Sequence, residues 1–416
     1  MARPTLRRHL LILISHSCVA VCIGSMAGAQ ETREKPKYEG IRLGPFYLSV
    51  VAPFGAGVDN NVYNTPEGIS DQSASVTPTL QVVLPLGRRA RLRANGGIVP
   101  QYFHRESTQR YTDLFGDVRG EVDVGPLSPF AGLGAGRYRQ RFTIEIDERI
   151  QRHQTSDVFG ATLHLGRRIT VTGSQTRVTS TFDDEATVDG NDVSDTLDRT
   201  TVTRRVDGGV PLTRKTSLVP FADFIQDRFL NEQPGLPPTV DSQRYGLGFA
   251  FSELAFFNGT IAGGVRRFGA GEGVLPYTGP FLSANLSSPF VLKSRLFLTA
   301  GRDVNYSVLE SAAASGLRNT YVSSYYRAEV AFELPLSLKL RLGGGFLESK
   351  YLLPAAGDPF GPPRRDHGWV EGGEFLRHFG KHLSLGVQAR HESRTSTVPE
   401  HSYEGMAYGL AGELRF

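Results

Sequence analysis

The chain has 416 residues, of which 39% are hydrophobic, 10% aromatic and 21% charged, with 47 glycines and a formal net charge of +4. Both cysteines, Cys18 and Cys22, and the arginines Arg3, Arg7 and Arg8 fall within the first 29 residues, which hold no acid. Without that stretch the charge is 4 − 3 = +1 and no thiol remains. This excludes disulfides, thiolate metal sites and a Cys nucleophile, and offers nucleic acid no concentrated basic surface.

The opening reads as a cleaved secretory signal. A basic start precedes the apolar centre LLILISHSCVAVCIGSM, and Ala27-Gly28-Ala29 supplies the small-residue site before Gln30. As a membrane anchor the run is marginal, because His16, Ser17 and Cys18 interrupt it, and Val19-Ala20-Val21 fits a lipoprotein site at Cys22 poorly. The expected division is a signal over 1–29, a charged periplasmic segment over 30–43, and one folded domain over 44–416.

No helical periodicity follows. The pattern alternates with period two, which places alternate side chains on opposite faces of a strand. In LSLKLRLGGGF (336–346), Leu336, Leu338, Leu340, Leu342 and Phe346 oppose Ser337, Lys339 and Arg341. YRAEVAFEL (326–334) and HLSLGVQARHE (382–392) alternate in the same way. Segments near 130–143, 217–229 and 366–377 lose this parity, for which bulges are one expected cause.

The connections alternate too. Short ones fall at 85–90, 125–129, 165–169, 211–216, 334–337 and 378–382, and long polar ones at 60–72, 183–195, 231–240, 309–319 and 352–366. Strands apolar on one face, with short and long turns in alternation, describe an all-β, transmembrane, antiparallel up-and-down β-barrel. The segments number about 18 strands, with 16 to 18 as the range, and an even count returns both ends to the periplasm. A soluble sandwich or propeller fits less well, since these segments are long and no blade repeat appears.

The chain stops on GMAYGLAGELRF (405–416), where Met406, Tyr408, Leu410, Leu414 and Phe416 share one face. Tyr408, Leu410, Leu414 and Phe416 resemble the carboxyl-terminal assembly signal of bacterial outer-membrane proteins, which implies the barrel assembly machinery as a partner. The stretches GIRLGPFYLSVVAPFGAGVDNNVYNTPEG, SVTPTLQVVLPLGRRARL, YGLGFAFSELAFFNGTIAGGVRRF and GRDVNYS resemble the outer-membrane β-barrel porins of type 2, often linked to exopolysaccharide export. At the start of Val58-Asp59-Asn60-Asn61-Val62-Tyr63, Val58 stands where that family carries an aromatic residue. The resemblance implies an outer-membrane location in contact with lipid, and polysaccharide export components as partners.

Signatures of chemistry are thin. There is no G-x-S-x-G elbow, H-E-x-x-H helix or phosphate loop, and the histidines are scattered. The acids Asp183, Asp184, Glu185, Asp189, Asp192 and Asp195 match no calcium loop and read as a solvated external loop. No enzyme activity, cofactor, metal or nucleic-acid partner is expected.

Charge on the polar face is more informative. Arg91, Arg93, Arg119, Lys293, Arg295, Arg327, Lys339, Arg341 and Arg390 are the candidate pore-lining residues, with Arg415 beside them, against Asp117, Glu121, Asp123, Glu329, Glu333, Glu392 and Glu413. Two functions suit such a face. Cross-strand ion pairs fix register, and basic rings favour anions in pores. The leading expectation is a porin-like passive conduit for anionic solutes or a secreted exopolysaccharide. The alternatives are a barrel hydrolase active at its rim and a plugged structural or adhesive barrel.

Overall fold

The structure is a computed structural model that describes residues 40–416, apart from 142–147, 167, 184–186, 189–190, 232–237, 253–256, 270–273, 291–292, 312–317 and 355–360. The expected signal, residues 30–39 of the periplasmic segment, and the acids Asp184, Glu185 and Asp189 lie outside the described residues.

The fold is a closed 18-strand antiparallel barrel. Its staves are β1 (Phe46–Asp59), β2 (Asp71–Val76, continued by Thr79–Leu86 after Pro78), β3 (Ala90–Phe103), β4 (Tyr111–Val122), β5 (Leu127–Gln140) and β6 (Ile150–Leu165). Next come β7 (Ile169–Phe182), β8 (Arg199–Pro211), β9 (Thr216–Phe229), β10 (Thr239–Phe251), β11 (Asn258–Phe268) and β12 (Tyr277–Pro289). The ring finishes with β13 (Ser294–Ser311), β14 (Arg318–Leu334), β15 (Leu338–Tyr351), β16 (Arg365–Phe379), β17 (Leu383–Ser396) and β18 (Tyr403–Arg415). A short strand, Ile41–Leu43, folds back on the start of β1.

Each stave pairs with its sequence neighbour, and β18 returns to β1 from Val51↔Arg415 to Asp59↔Ala407, so the ring closes on itself. Closure matters because an unpaired ladder cannot be satisfied in lipid. All the short connections fall at the end of the barrel that holds both chain ends, and the long ones at the other. Tight turns at the first end need left-handed backbone, as at Leu336 and Ser337 (φ 61° and 60°), so β15 starts only at Leu338.

The two faces sort as the alternation requires. On β18, Leu410 is 65% exposed on the lipid side, whereas Ala411 and Glu413 are buried on the lumen side. Parity is lost on β9 for a reason other than a bulge. Its ladder to β10 runs unbroken from Thr216↔Phe251 to Arg228↔Thr239. Phe221, Ile225 and Phe229 alternate with Asp223 and Asp227 on the inward side, while Phe224 faces out. Apolar residues therefore occupy both faces.

Candidate channel lumen

The inward faces of β3 and β4 carry Arg91, Arg93 and Asn95 opposite Glu121, Arg119 and Asp117. Arg91 Nη2 lies 2.9 Å from Glu121 Oε2, and Asn95 Nδ2 donates to Asp117 Oδ2 at 3.1 Å. Arg93 and Arg119 are directly opposed, two like charges on neighbouring staves. Arg119 is exposed to the lumen, with its guanidinium carbon 4.3 Å from the Phe130 ring centre on β5.

Most other nominated residues are matched by acids. Arg327 lies 3.6 Å from Glu329, and Arg341 lies 3.8 Å from Glu329 and 3.6 Å from Glu374. Arg390 pairs with Glu392, and Arg415 with Glu413. Lys339 and Arg295 stand on the inward side of β15 and β13, opposite Leu376 and Ala331. Lys293 differs from the expectation. It occupies a short turn with φ 63° and is exposed, so it is not a stave residue.

The strongest ionic construction was not foreseen. Across β8 to β13, Arg205 reaches Asp207 (3.0 Å) and Asp223 (3.1 Å), Arg244 reaches Asp223 (3.2 Å) and Asp303 (3.2 Å), and Arg266 reaches Asp303 (3.0 Å). Three arginines and three aspartates alternate, so the chain of contacts is neutral. Arg205, Arg244 and Arg266 also lie 4.5, 5.7 and 4.8 Å from the ring centres of Phe221, Phe281 and Phe268. Phe221 and Phe281 lie against Gly246, where a Cβ would come within 2.8 and 2.9 Å of the two rings. The sequence signal was the Arg205-x-Asp207 pair on one face. Its partners come from other staves and only register joins them.

The external mouth holds an apolar core. Ile150, Phe182, Val193, Leu197, Phe229 and Val240 pack with Phe268, Val274, Val304, Tyr306 and Val322, drawing on β6 through β14 and their loops. The β12–β13 ladder stops at Leu282↔Arg302, while β13–β14 continues to Tyr306↔Thr320. Beyond that point residues 318–324 are buried on both faces, and Tyr306 donates to Asp227 of β9 at 2.8 Å. The end of this hairpin therefore leans into the mouth. On the opposite side Arg149, in the loop before β6, donates to Val62 O and Gln109 Oε1, each at 3.0 Å, and burial pulls its pKa below the ordinary value.

Two serine–histidine pairs bear on catalysis, one of them Ser384 Oγ with His378 Nδ1 at 2.6 Å. In the other, Ser128 Oγ donates to Asp123 Oδ1 (2.6 Å) and lies 3.3 Å from His164 Nε2. Here the acid holds the serine rather than the histidine, the reverse of a nucleophile–base–acid relay. Among the described residues no three His, Cys, Asp or Glu side chains gather as metal ligands would.

Among solved structures, the chain is similar to OccAB3 of Acinetobacter baumannii at a TM-score of 0.49 and 9% identity, covering 90% of this chain and 100% of that one. It is likewise similar to OpdL of Pseudomonas aeruginosa (0.49, 9%, 90% and 100%) and OccK2 (OpdF) of Pseudomonas aeruginosa (0.48, 13%, 90% and 98%). No curated protein matches the chain. Residues 35–415 match one family across nearly the whole sequence. The chain belongs to that family, described as "Putative beta-barrel porin 2", and is a porin-like passive conduit of the cell outer membrane.

Proposed function

We propose that this conduit favours anionic solutes, and that a secreted acidic polysaccharide is among the polymers it serves. The observation that carries the reading is the opposition of Arg93 and Arg119 on the inward wall. Like charges directly across a ladder destabilise it. A wall that keeps them, with Arg119 open to the lumen, gains an attraction for anions where basic rings line a pore. Arg91, Arg327, Arg341 and Arg390 have acids beside them and serve mainly to hold the wall. The conduit needs no cofactor and no catalytic step, and the Ser128 contacts give no relay for a rim hydrolase. Its partners on this reading are outer-membrane lipid, the barrel assembly machinery and polysaccharide export components.

A second reading, a plugged structural or adhesive barrel, is favoured by the apolar core across the mouth. Planar-bilayer recordings separate the two. The anion-conduit reading expects steady conductance with a reversal potential on the anion side of zero in a KCl gradient, and a shift toward cations when Arg93 and Arg119 are both changed to Gln. A silent bilayer would favour the plugged reading. Cation preference in the unaltered protein would overturn the anion assignment, and turnover of lipid or peptide would revive the hydrolase.

A further inference from the structure

The lipid-facing side of the barrel is not uniform. Across β7 to β11 one outward row reads Val171, Gly208, Pro220, Leu247 and Gly263, with Val206, Ala222 and Tyr245 in the next row toward the exterior. These residues line a groove of about 640 Å³. It crosses five staves, and four ladder spacings of about 4.8 Å make it roughly 19 Å wide. An acyl chain is about one ladder spacing across, so the groove takes several chains side by side.

Immediately outward the chemistry changes. The following row carries Arg204 on β8, Phe224 on β9, Gln243 on β10 and Arg267 on β11. Arg204 Nε donates to Gln175 at 3.0 Å, and Tyr245 Oη donates to Gln243 Oε1 at 2.9 Å. Nearby Arg177 lies 3.8 Å from Asp157. From Phe251 at the periplasmic end of β10 to Gln243 is eight residues, which for a tilted strand spans roughly 20 Å of bilayer. The arginines thus stand at the level of the external headgroups.

The sector is distinctive in sign. Outward positions of β6 to β13 hold Arg177, Arg204, Arg228, Arg267 and Arg302 against Asp157 and Asp241. On β15 to β18 the same face is balanced: Glu348, Glu371 and Glu404 stand with Lys350, Arg365 and Arg377, Lys350 lying 2.8 Å from Glu348 and His391 lying 3.5 and 3.1 Å from Glu371 and Glu404. Apolar width below and unbalanced positive charge above are complementary to one kind of molecule.

We infer that this face binds a phosphorylated glycolipid of the outer leaflet, with its several acyl chains in the β7–β11 groove and its phosphates against Arg204 and Arg267. The site lies outside the lumen, so it rests on the outer-membrane location and not on the solute carried.

The test is native mass spectrometry of the full folded barrel in detergent with three probes: a bis-phosphorylated, multiply acylated disaccharide lipid, its dephosphorylated counterpart, and phosphatidylglycerol. The unaltered protein should retain the first about tenfold better than either of the others, the scale expected of two headgroup arginines. Arg204→Gln with Arg267→Gln should bring the first down to the second, and Ala222→Leu should lower retention of the first with both arginines in place. Unitary conductance should not move in these variants. Equal retention of the phosphorylated and dephosphorylated lipids by the unaltered protein would overturn the site. So would equal retention of phosphatidylglycerol, which would mean an ordinary phospholipid surface. A change of oligomeric state in Ala222→Leu without loss of lipid would assign the groove to a second copy of the chain. The comparison of probes on the unaltered protein stands whether or not a variant folds.

Discussion

Asp223 of β9 accepts from Arg205 of β8 at 3.1 Å and pairs with Arg244 of β10 at 3.2 Å, joining three staves through one carboxylate that is 1% exposed. Removing one partner of a buried pair leaves charge without compensation and costs about 3 to 5 kcal/mol. Asp223→Ala should therefore markedly lower the temperature at which the folded form converts to the unfolded band on heated gels. Glu121→Ala, which breaks the partly exposed Arg91 pair, should cost about 1 kcal/mol or less. Equal shifts in the two variants would remove the special weight given to the buried chain of ion pairs.

The arrangement of turns fixes sidedness. An epitope inserted within 352–366 or 183–195 should be labelled on intact cells, because those connections lie at the end opposite the chain termini. One inserted within 211–216 should become accessible only after the outer membrane is opened. Labelling in the reverse pattern would turn the barrel over.

Tyr306 ties the leaning hairpin to β9 through Asp227 and packs edge-on against Phe229 and Phe268, with ring centres 6.4 and 6.2 Å apart. Truncation to Ala removes the aromatic body and the hydrogen bond together, a change that costs about 3 to 5 kcal/mol where an aromatic side chain is fully packed. The loss falls on the mouth and leaves the neighbouring ladders paired. Tyr306→Ala should keep heat-modifiable migration and raise unitary conductance, whereas Tyr306→Phe should stay close to the parent. If Tyr306→Ala conducts as the parent does, the apolar core does not narrow the path.

The terminal stave shows what could be read from sequence. Alternation on 405–416 assigned Tyr408, Leu410 and Leu414 to the lipid side, and each is exposed there. A lipid face and a wet face differ in residue type, so period two suffices to tell them apart. Where the inward face is itself packed, as with Phe221, Ile225 and Phe229, both faces turn apolar and the signal disappears. The chain of ion pairs was illegible for a different reason. Asp303 meets Arg266 across β12 and Arg244 across β11 and β12, and no local pattern specifies which staves converge in a curved wall. Lys293 was misassigned because a basic residue one step before a stave shares its parity while belonging to the turn.

Phe416 completes the seam. Its amide donates to Val50 O at 2.8 Å, Val50 N donates back to Phe416 O at 3.0 Å, and its ring stacks on His382 with centres 5.3 Å apart. Two backbone hydrogen bonds worth about 1 kcal/mol each would be lost on deletion, a modest sum beside a ladder that runs on to Asp59↔Ala407. If the residue served the seam alone, deletion would fray one end and little more. As part of an assembly signal with Tyr408, Leu410 and Leu414, its loss should strand unassembled, protease-sensitive chain in the periplasm, because a barrel that does not close leaves its edges unsatisfied in lipid. Leu414→Arg should fail in the same way, adding about 2 to 4 kcal/mol for a cation on the lipid side near mid-depth and less toward the interface. Arg415→Ala, which alters only an inward contact with Glu413, should assemble nearly as the parent does. Heat-modifiable migration and protease sensitivity report all three variants. Normal assembly of both the Phe416 deletion and Leu414→Arg would show that the last stave carries no assembly signal. Equal damage from Arg415→Ala and Leu414→Arg would reverse the facing of the strand.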